Sequence, residues 1–309
     1  MDIRIQIEER EKNILSRYAA LSENTKGRII EEEKCTIRTD YQRDRDRIIH
    51  SKSFRRLEHK TQVFIAPEGD HYRTRLTHTL EVAQISRTLA RALRLNEDLV
   101  EAIALAHDVG HTPFAHAGEQ VLDELLTTGF RHNENSIRVL TRVEQNKTRK
   151  GLNLSQEVLD GVLHHSGYGR DEPLAATLEG QVIRLSDKIA YVQHDIDDSI
   201  RAGLLVSGEI PREYLQVLGE THSKRIATLV IDTITHTRSA LEKGEENARI
   251  EPGPAVEKAL RGLRDFMFDS IYQGSVCQAE RSRAGFIIEH LFHYYLSHPE
   301  RMSPLYREI

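Results

Sequence analysis

Apolar residues along this chain recur mostly every three to four positions. Segment 76–94 places Leu76, Leu80, Ala83, Leu89, Ala90 and Leu93 on one helical face and predicts an amphipathic helix. Asn96 follows as an N-cap, with Glu97 and Asp98 in the first turn, where carboxylates suit the helix dipole. The helix it opens, EDLVEAIALAHDVG, is predicted to stop at Gly110. Thr112-Pro113 breaks the chain, and further helices are expected over 115–126 and 155–165. Segment 178–202 is long and amphipathic, with Val182, Ile183, Leu185, Ile189, Val192, Ile196 and Ile200 at helical spacing. Helices at 221–243, 254–269 and 279–296 complete the pattern. Strand signals are few and short, and the best is IRIQI at 3–7. The polar stretch GEENARIEPGP at 244–254 reads as a linker. The expected fold is all-α. Residues 1–205 form an N-terminal segment and a helical core, and residues 206–309 a helical C-terminal lobe packed on it.

Composition narrows the classes. The 309 residues are 39% hydrophobic, enough for a sizeable core and too much for a disordered chain. A net charge of −5 argues against a nucleic-acid coat or an anionic membrane surface as the main partner. Two cysteines, Cys35 and Cys277, cannot make a disulfide framework or a Cys-rich zinc module. No apolar run approaches the ~20 residues of a membrane span, and the first residues lack the apolar core of a signal peptide. A protein of the reducing cytoplasm is expected. The remaining oddity is 16 histidines, ten of them between positions 50 and 165: His50, His59, His71, His78, His107, His111, His116, His132, His164 and His165.

The strongest chemical signal is His107-Asp108 at the end of an otherwise apolar helix. Burying an imidazole beside a carboxylate is costly unless they are paired or bound to a metal. His78 lies on the preceding helix and Asp187 on the long one. Three helices can therefore supply His78, His107, Asp108 and Asp187, two imidazoles and two carboxylates. That set suits divalent Zn, Mn, Fe, Co or Ni, and Mg belongs among the ions to test. His116 and Glu119 stand at i, i+3, so the carboxylate can orient the imidazole as a general acid–base. Asp187, Tyr191 and Asp195 stand at i, i+4, i+8 along about 12 Å of one helix face. The basic run Arg43, Arg45, Arg47, Lys52, Arg55, Arg56 and Lys60 offers either phosphate contacts or, since Asp44, Asp46 and Glu58 alternate with it, surface ion pairs.

His78 … His107-Asp108 … Asp187 resembles the H…HD…D pattern of HD-domain metal-dependent phosphohydrolases. YQRDRDRIIHSKSFRRLEHKTQVF (41–64), RTRLTHTLEVAQISR (73–87), AHDVGHTPFAHAGE (106–119), GFRHNENS (129–136) and RLSDKIAYVQHDIDD (184–198) are similar to the dGTPase-like branch, in its short bacterial form. The likeness runs from about residue 30 to 205, with a looser match at LFHYY (291–295). It implies an HD-domain helical core. It implies His116 and Glu119 as the catalytic pair, His132 as a further active-site histidine, and Arg75 and Gln62 beside the substrate. It also implies that Tyr191 and Asp195 meet the deoxyribose.

The implied reaction is metal-dependent hydrolysis of a deoxynucleoside triphosphate at the α-phosphorus, giving deoxynucleoside and tripolyphosphate. The alternatives are an HD-type 5′-nucleotidase or cyclic-nucleotide phosphodiesterase, and a catalytically weak nucleotide sensor. The resemblance further implies a homo-oligomer, commonly a hexamer, and in some members binding of single-stranded DNA.

Overall fold

The computed structural model describes residues 2–62, 73–145, 149–167, 172–244 and 248–307. Val63 and Phe64 of the motif stretches, His71 of the clustered histidines, and part of the expected linker lie outside them. The fold is all-α, and among the described residues only isolated bridges, no strands, are found. In chain order the helices are α1 (Ile3–Ile14), α2 (Asp40–Ile49), α3 (Lys52–Arg56), α4 (Arg75–Leu93), α5 (Glu97–Ala106), α6 (Ala115–Leu125) and α7 (His132–Arg138). They continue with α8 (Gln156–Leu163), α9 (Leu178–Arg201), α10 (Arg212–Leu218), α11 (His222–Glu242), α12 (Pro254–Met267), α13 (Ser275–Ser297) and α14 (Pro304–Arg307).

One sequence expectation is overturned. IRIQI at 3–7 is the first part of α1, not a strand. Asp2 caps that helix by accepting from the Ile5 amide, and Arg4 pairs with Glu8 one turn on at 2.6 Å. Ile3 and Ile5 stay exposed while Glu8 and Glu11 are buried. The alternation at 3–7 is overridden by the strong helix formers that follow it, EEREKN.

Helix α5 is the centre of the core. Leu99, Val100 and every residue from Ala102 to Ala106 are buried, the signature of a helix enclosed on all sides. Helices α2, α4, α8 and α9 pack around it. Asn96 caps it as expected, its side chain accepting from the amides of Asp98 and Leu99. Helix α9 buries Val182, Ile183, Leu185, Ile189, Val192 and Ile196, and carries the core onward to the C-terminal helices. There α11 leans on α4 and α9, α12 on α9, and α13 on α6.

Helix α5 ends at Ala106, four residues before Gly110, because the chain turns sharply there. The turn is buried, so its carbonyls need partners. Ser136 Oγ donates to the carbonyl of His107 at 2.8 Å, and the His111 amide to that of Asp108 at 3.2 Å. Asn135 Nδ2 donates to the carbonyl of Gly110 at 2.7 Å. Lys60 Nζ donates to those of Val109 and His111 at 3.3 and 2.7 Å. The backbone of α7 presses against Gly110 so closely that a Cβ there would stand 2.1 Å from the Ser136 nitrogen. Gly110→Ala should therefore push α7 off the turn and cost about 2 kcal/mol or more. Urea melts check this; an unchanged midpoint would show that the contact yields freely.

Candidate metal and phosphate-binding site

The turn after α5 delivers His107 and Asp108 to the same point as His78 of α4 and Asp187 of α9. His78 Nε2 lies 3.0 Å from Asp187 Oδ1 and 3.9 Å from Asp108 Oδ2. His107 Nε2 lies 3.5 Å from Asp108 Oδ1 and 3.9 Å from Asp187 Oδ1. All four expected residues are thus brought together. His107 Nε2 is buried with no hydrogen-bond partner among the described residues, while its Nδ1 donates to the Ala104 carbonyl at 2.6 Å. An orphaned imidazole nitrogen facing two carboxylates and a second imidazole is what a divalent ion requires, so the residues fit a metal. Burial alone would raise Asp108, but His111, His107 and the Arg75 guanidinium hold it well below the usual carboxylate range.

Arg75 opens α4 and donates to Asp108 Oδ2 at 2.6 Å. His78 Nδ1 lies 3.0 Å from His194 Nε2. The other ring nitrogen of His194 is 2.7 Å from Asp195, whose carboxylate also accepts from the Tyr272 hydroxyl. This row of groups runs from the tetrad to the C-terminal helices.

The second group forms on the far side of the turn. Glu119 of α6 accepts from the His132 amide at 2.7 Å and from His132 Nδ1 at 2.9 Å, and its other oxygen lies 3.3 Å from His116 Nδ1. Burial works against its charge, but hydrogen bonds from His116 and His132 hold Glu119 well below the usual range. His116 itself is exposed, its side chain 77% accessible. The pairing of His116 with Glu119 expected from sequence is present, and Glu119 serves His132 as well.

Both groups line one cavity of about 320 Å³. Gln62, Arg75, His78, Asp108, His116, His132, Asp187, Tyr191 and Asp195 all face it, so of the expected site residues only His107 and Glu119 stand behind the wall. Gln62 Nε2 is buried with no hydrogen-bond partner among the described residues. Three members of the basic run are paired away from the cavity: Arg43 and Arg47 with Glu32, and Arg45 with Asp98 and Glu101. The ion-pair reading holds for these three.

The far wall comes from the C-terminal lobe: Arg264 of α12, Phe268 and Tyr272 of the π-helical turn after it, and Cys277, Glu280 and Arg281 of α13. Nothing in the sequence pattern singled them out, nor His194. His164 and His165, neighbours in sequence, part company. His164 Nδ1 turns to Asp160, and His165 is buried with its Nε2 3.3 Å from that of His132.

An HD domain model matches residues 75–192, and a phosphohydrolase-associated domain matches residues 250–309. The chain is 55% identical over its whole length to a deoxyguanosinetriphosphate triphosphohydrolase-like protein of Clostridium tetani, covering 88% of that protein. It is 54% identical to one of Caldanaerobacter subterraneus, over 98% of this chain and 85% of that one. A third, from Clostridium perfringens, is 52% identical over the whole chain and 89% of its own length.

Lys60, under the turn, is lowered to about 8 by burial and by the nearby Arg75 charge. Its free value is about 10.4. Between the two the unfolded chain binds the extra proton, so stability rises with pH across that window. In metal-free protein, wild type should gain on Lys60→Met between about pH 8 and about pH 10. A difference in urea midpoint that is flat across this range would contradict the assignment.

Proposed function

This chain belongs to the deoxyguanosinetriphosphate triphosphohydrolase-like family of HD-domain phosphohydrolases, and from that we propose that it hydrolyses deoxynucleoside triphosphates to deoxynucleoside and tripolyphosphate. The observation that carries the reading is a single cavity with the His-Asp tetrad and the His116–Glu119–His132 group at one end. Tyr191 and Asp195 lie one and two turns further along α9. That separation, about 6 and about 12 Å along the helix, matches a reacting α-phosphate at Asp187 with its sugar lying toward Asp195.

The tetrad would hold the divalent ion, which supplies charge at an α-phosphate oxygen and lowers the pKa of a water. Its identity is among Mg, Mn, Co, Ni, Zn and Fe, since this mixed nitrogen and oxygen set accepts each of them. Arg75 fixes one oxygen of Asp108 by its hydrogen bond. Water adds to the α-phosphorus, the bond to the 5′-oxygen breaks, and that oxygen takes a proton. His116 is the group placed to carry protons, because it reaches open solvent while Glu119 holds its Nδ1. Glu119 also orients His132 toward the phosphates. Asp195 is a natural acceptor for a sugar hydroxyl, and the ring of Tyr191 for the sugar face. Gln62 has an unpartnered amide nitrogen with which to meet the nucleoside. Arg264 and Arg281 bring positive charge to the opposite wall, where a polyanionic tail needs it.

Self-association is part of this reading. Helix α13 leaves Phe286, Leu291, Tyr294 and Leu296 exposed, a run of apolar side chains along its outer length.

Incubating metal-loaded protein with each of the four deoxynucleoside triphosphates, and separating the products, tests the reaction. Deoxynucleoside with tripolyphosphate is expected. Release of pyrophosphate with the monophosphate, or turnover of monophosphates or cyclic nucleotides alone, refutes it. His107→Ala and Asp108→Ala should lose metal and activity together. His116→Ala should keep its metal and lose on the order of 10²- to 10⁴-fold in kcat. A His116→Ala protein with full kcat would remove that residue from the chemistry.

A further inference from the structure

The two imidazoles of the tetrad are oriented in different ways. His107 Nδ1 donates to the Ala104 carbonyl at 2.6 Å, an acceptor in the backbone of α5. His78 Nδ1 instead meets a side chain, standing 3.0 Å from Nε2 of His194 on α9. The two rings cross almost at right angles, with centroids 5.1 Å apart. His194 Nδ1 in turn lies 2.7 Å from Asp195 Oδ1. That contact is one of charge, since the ring N–H is not aimed straight at the oxygen. Asp195 Oδ2 accepts from the Tyr272 hydroxyl. His78, His194 and Asp195 are each at most 2% exposed, so water does not compete for these contacts.

Each proton along this row has one place to be once the tetrad is loaded. His78 Nε2 faces Asp187 and Asp108, so its lone pair is directed at the tetrad. The neutral ring then carries its proton on Nδ1. Nδ1 donates to His194 Nε2, which accepts, and this leaves the proton of His194 on Nδ1 beside the Asp195 carboxylate. The opposite tautomer of His194 would set N–H against N–H at one end and a lone pair against a carboxylate at the other. Both ends of the row exclude it. An imidazole ligand supported on its second nitrogen keeps its angle and gains basicity, and a carboxylate at the end of the support strengthens it.

We propose that His194 is a positioning residue for the metal ligand His78, and that it ties the hold on the ion to Asp195 in the cavity wall. The inference rests on the reading of the tetrad as a metal site, and on nothing about which nucleotide is used. Asp195 and Tyr272 line the cavity, while His194 is buried behind them. His107 is set by backbone, so its support stays the same whatever the cavity holds. The support of His78 ends on a carboxylate that the cavity can reach. A change in what Asp195 accepts is therefore felt at the ion, and by linkage the ion is felt equally at Asp195.

The test is the Mn(II) affinity of the full chain without nucleotide, read from the electron paramagnetic resonance signal of free Mn(II). The ion followed is the one that His107→Ala loses. His194→Leu should weaken it roughly 10- to 100-fold, the usual effect of removing such a support. His194→Gln, whose amide can accept from His78 and donate toward Asp195, should hold the ion close to wild type. Asp195→Asn should weaken it although Asp195 is no ligand, and should add nothing in the His194→Leu background. Additive losses in the double variant would mark two separate disturbances and overturn the tie. Wild-type affinity in folded His194→Leu or in Asp195→Asn overturns it too, as does a His194→Gln protein as weak as His194→Leu. Should His194→Leu not fold, Asp195→Asn decides alone: a weakened ion supports the tie and an unchanged one overturns it. A wild type that takes up no Mn(II) overturns the metal reading itself, and this inference with it.

Discussion

A helix that ends inside a protein must find partners for carbonyls that the next turn no longer serves, and α5 ends in the interior. Everything chemical in this molecule follows from how that demand is met. Five successive carbonyls, from His107 to His111, are each taken by Ser136, the chain itself, Lys60 or Asn135. Those partners come from α7 and from the segment ahead of α4, elements far from α5 in sequence. The same bonds that satisfy the turn therefore draw in α7 with His132 and the segment that carries Gln62. They also fix the backbone of His107 and Asp108, so that two costly side chains are held where the α4 and α9 residues can compensate them.

Much of the fold was legible because its main helices are long and strongly periodic. Helices α4, α5, α9 and α11 begin and end within a few residues of where apolar spacing and caps place them. Helix α2 was not. It buries Asp40 and Asp44 beside Tyr41 and Ile48, and offsets those acids with Arg28 from outside the helix. An apolar period cannot register a packing face that is half carboxylate. The same holds for α1, whose buried residues are glutamates while Ile3, Ile5 and Ile14 face out.

The site divides in a similar way. His107-Asp108, and His116 with Glu119, were readable because each sits in a compact run whose spacing is itself chemical. His194 and His165 were not, since their meaning comes from a ring nitrogen 3.0 Å or 3.3 Å away on another helix. Lys60 was ambiguous for a different reason. In sequence it is one more cation in a basic run, and only its burial against two carbonyls separates it from the arginines that pair with Glu32 and Asp98. The far wall of the cavity is the least readable part, because nothing in the sequence around Arg264, Tyr272 and Arg281 marks a site until the lobe folds back over α9.

That folding back sets a schedule. A chain made from its N-terminus has all four tetrad residues in hand once α9 has emerged. The roof follows only after Tyr272 and Arg281, and the bond from Tyr272 to Asp195 joins residues 77 apart. Tyr18 reaches still further, to the carbonyl of Leu241, 223 residues on. The C-terminal wall is therefore the last part of the cavity to be made. The last third of the polypeptide thus completes a cavity whose other walls are already made.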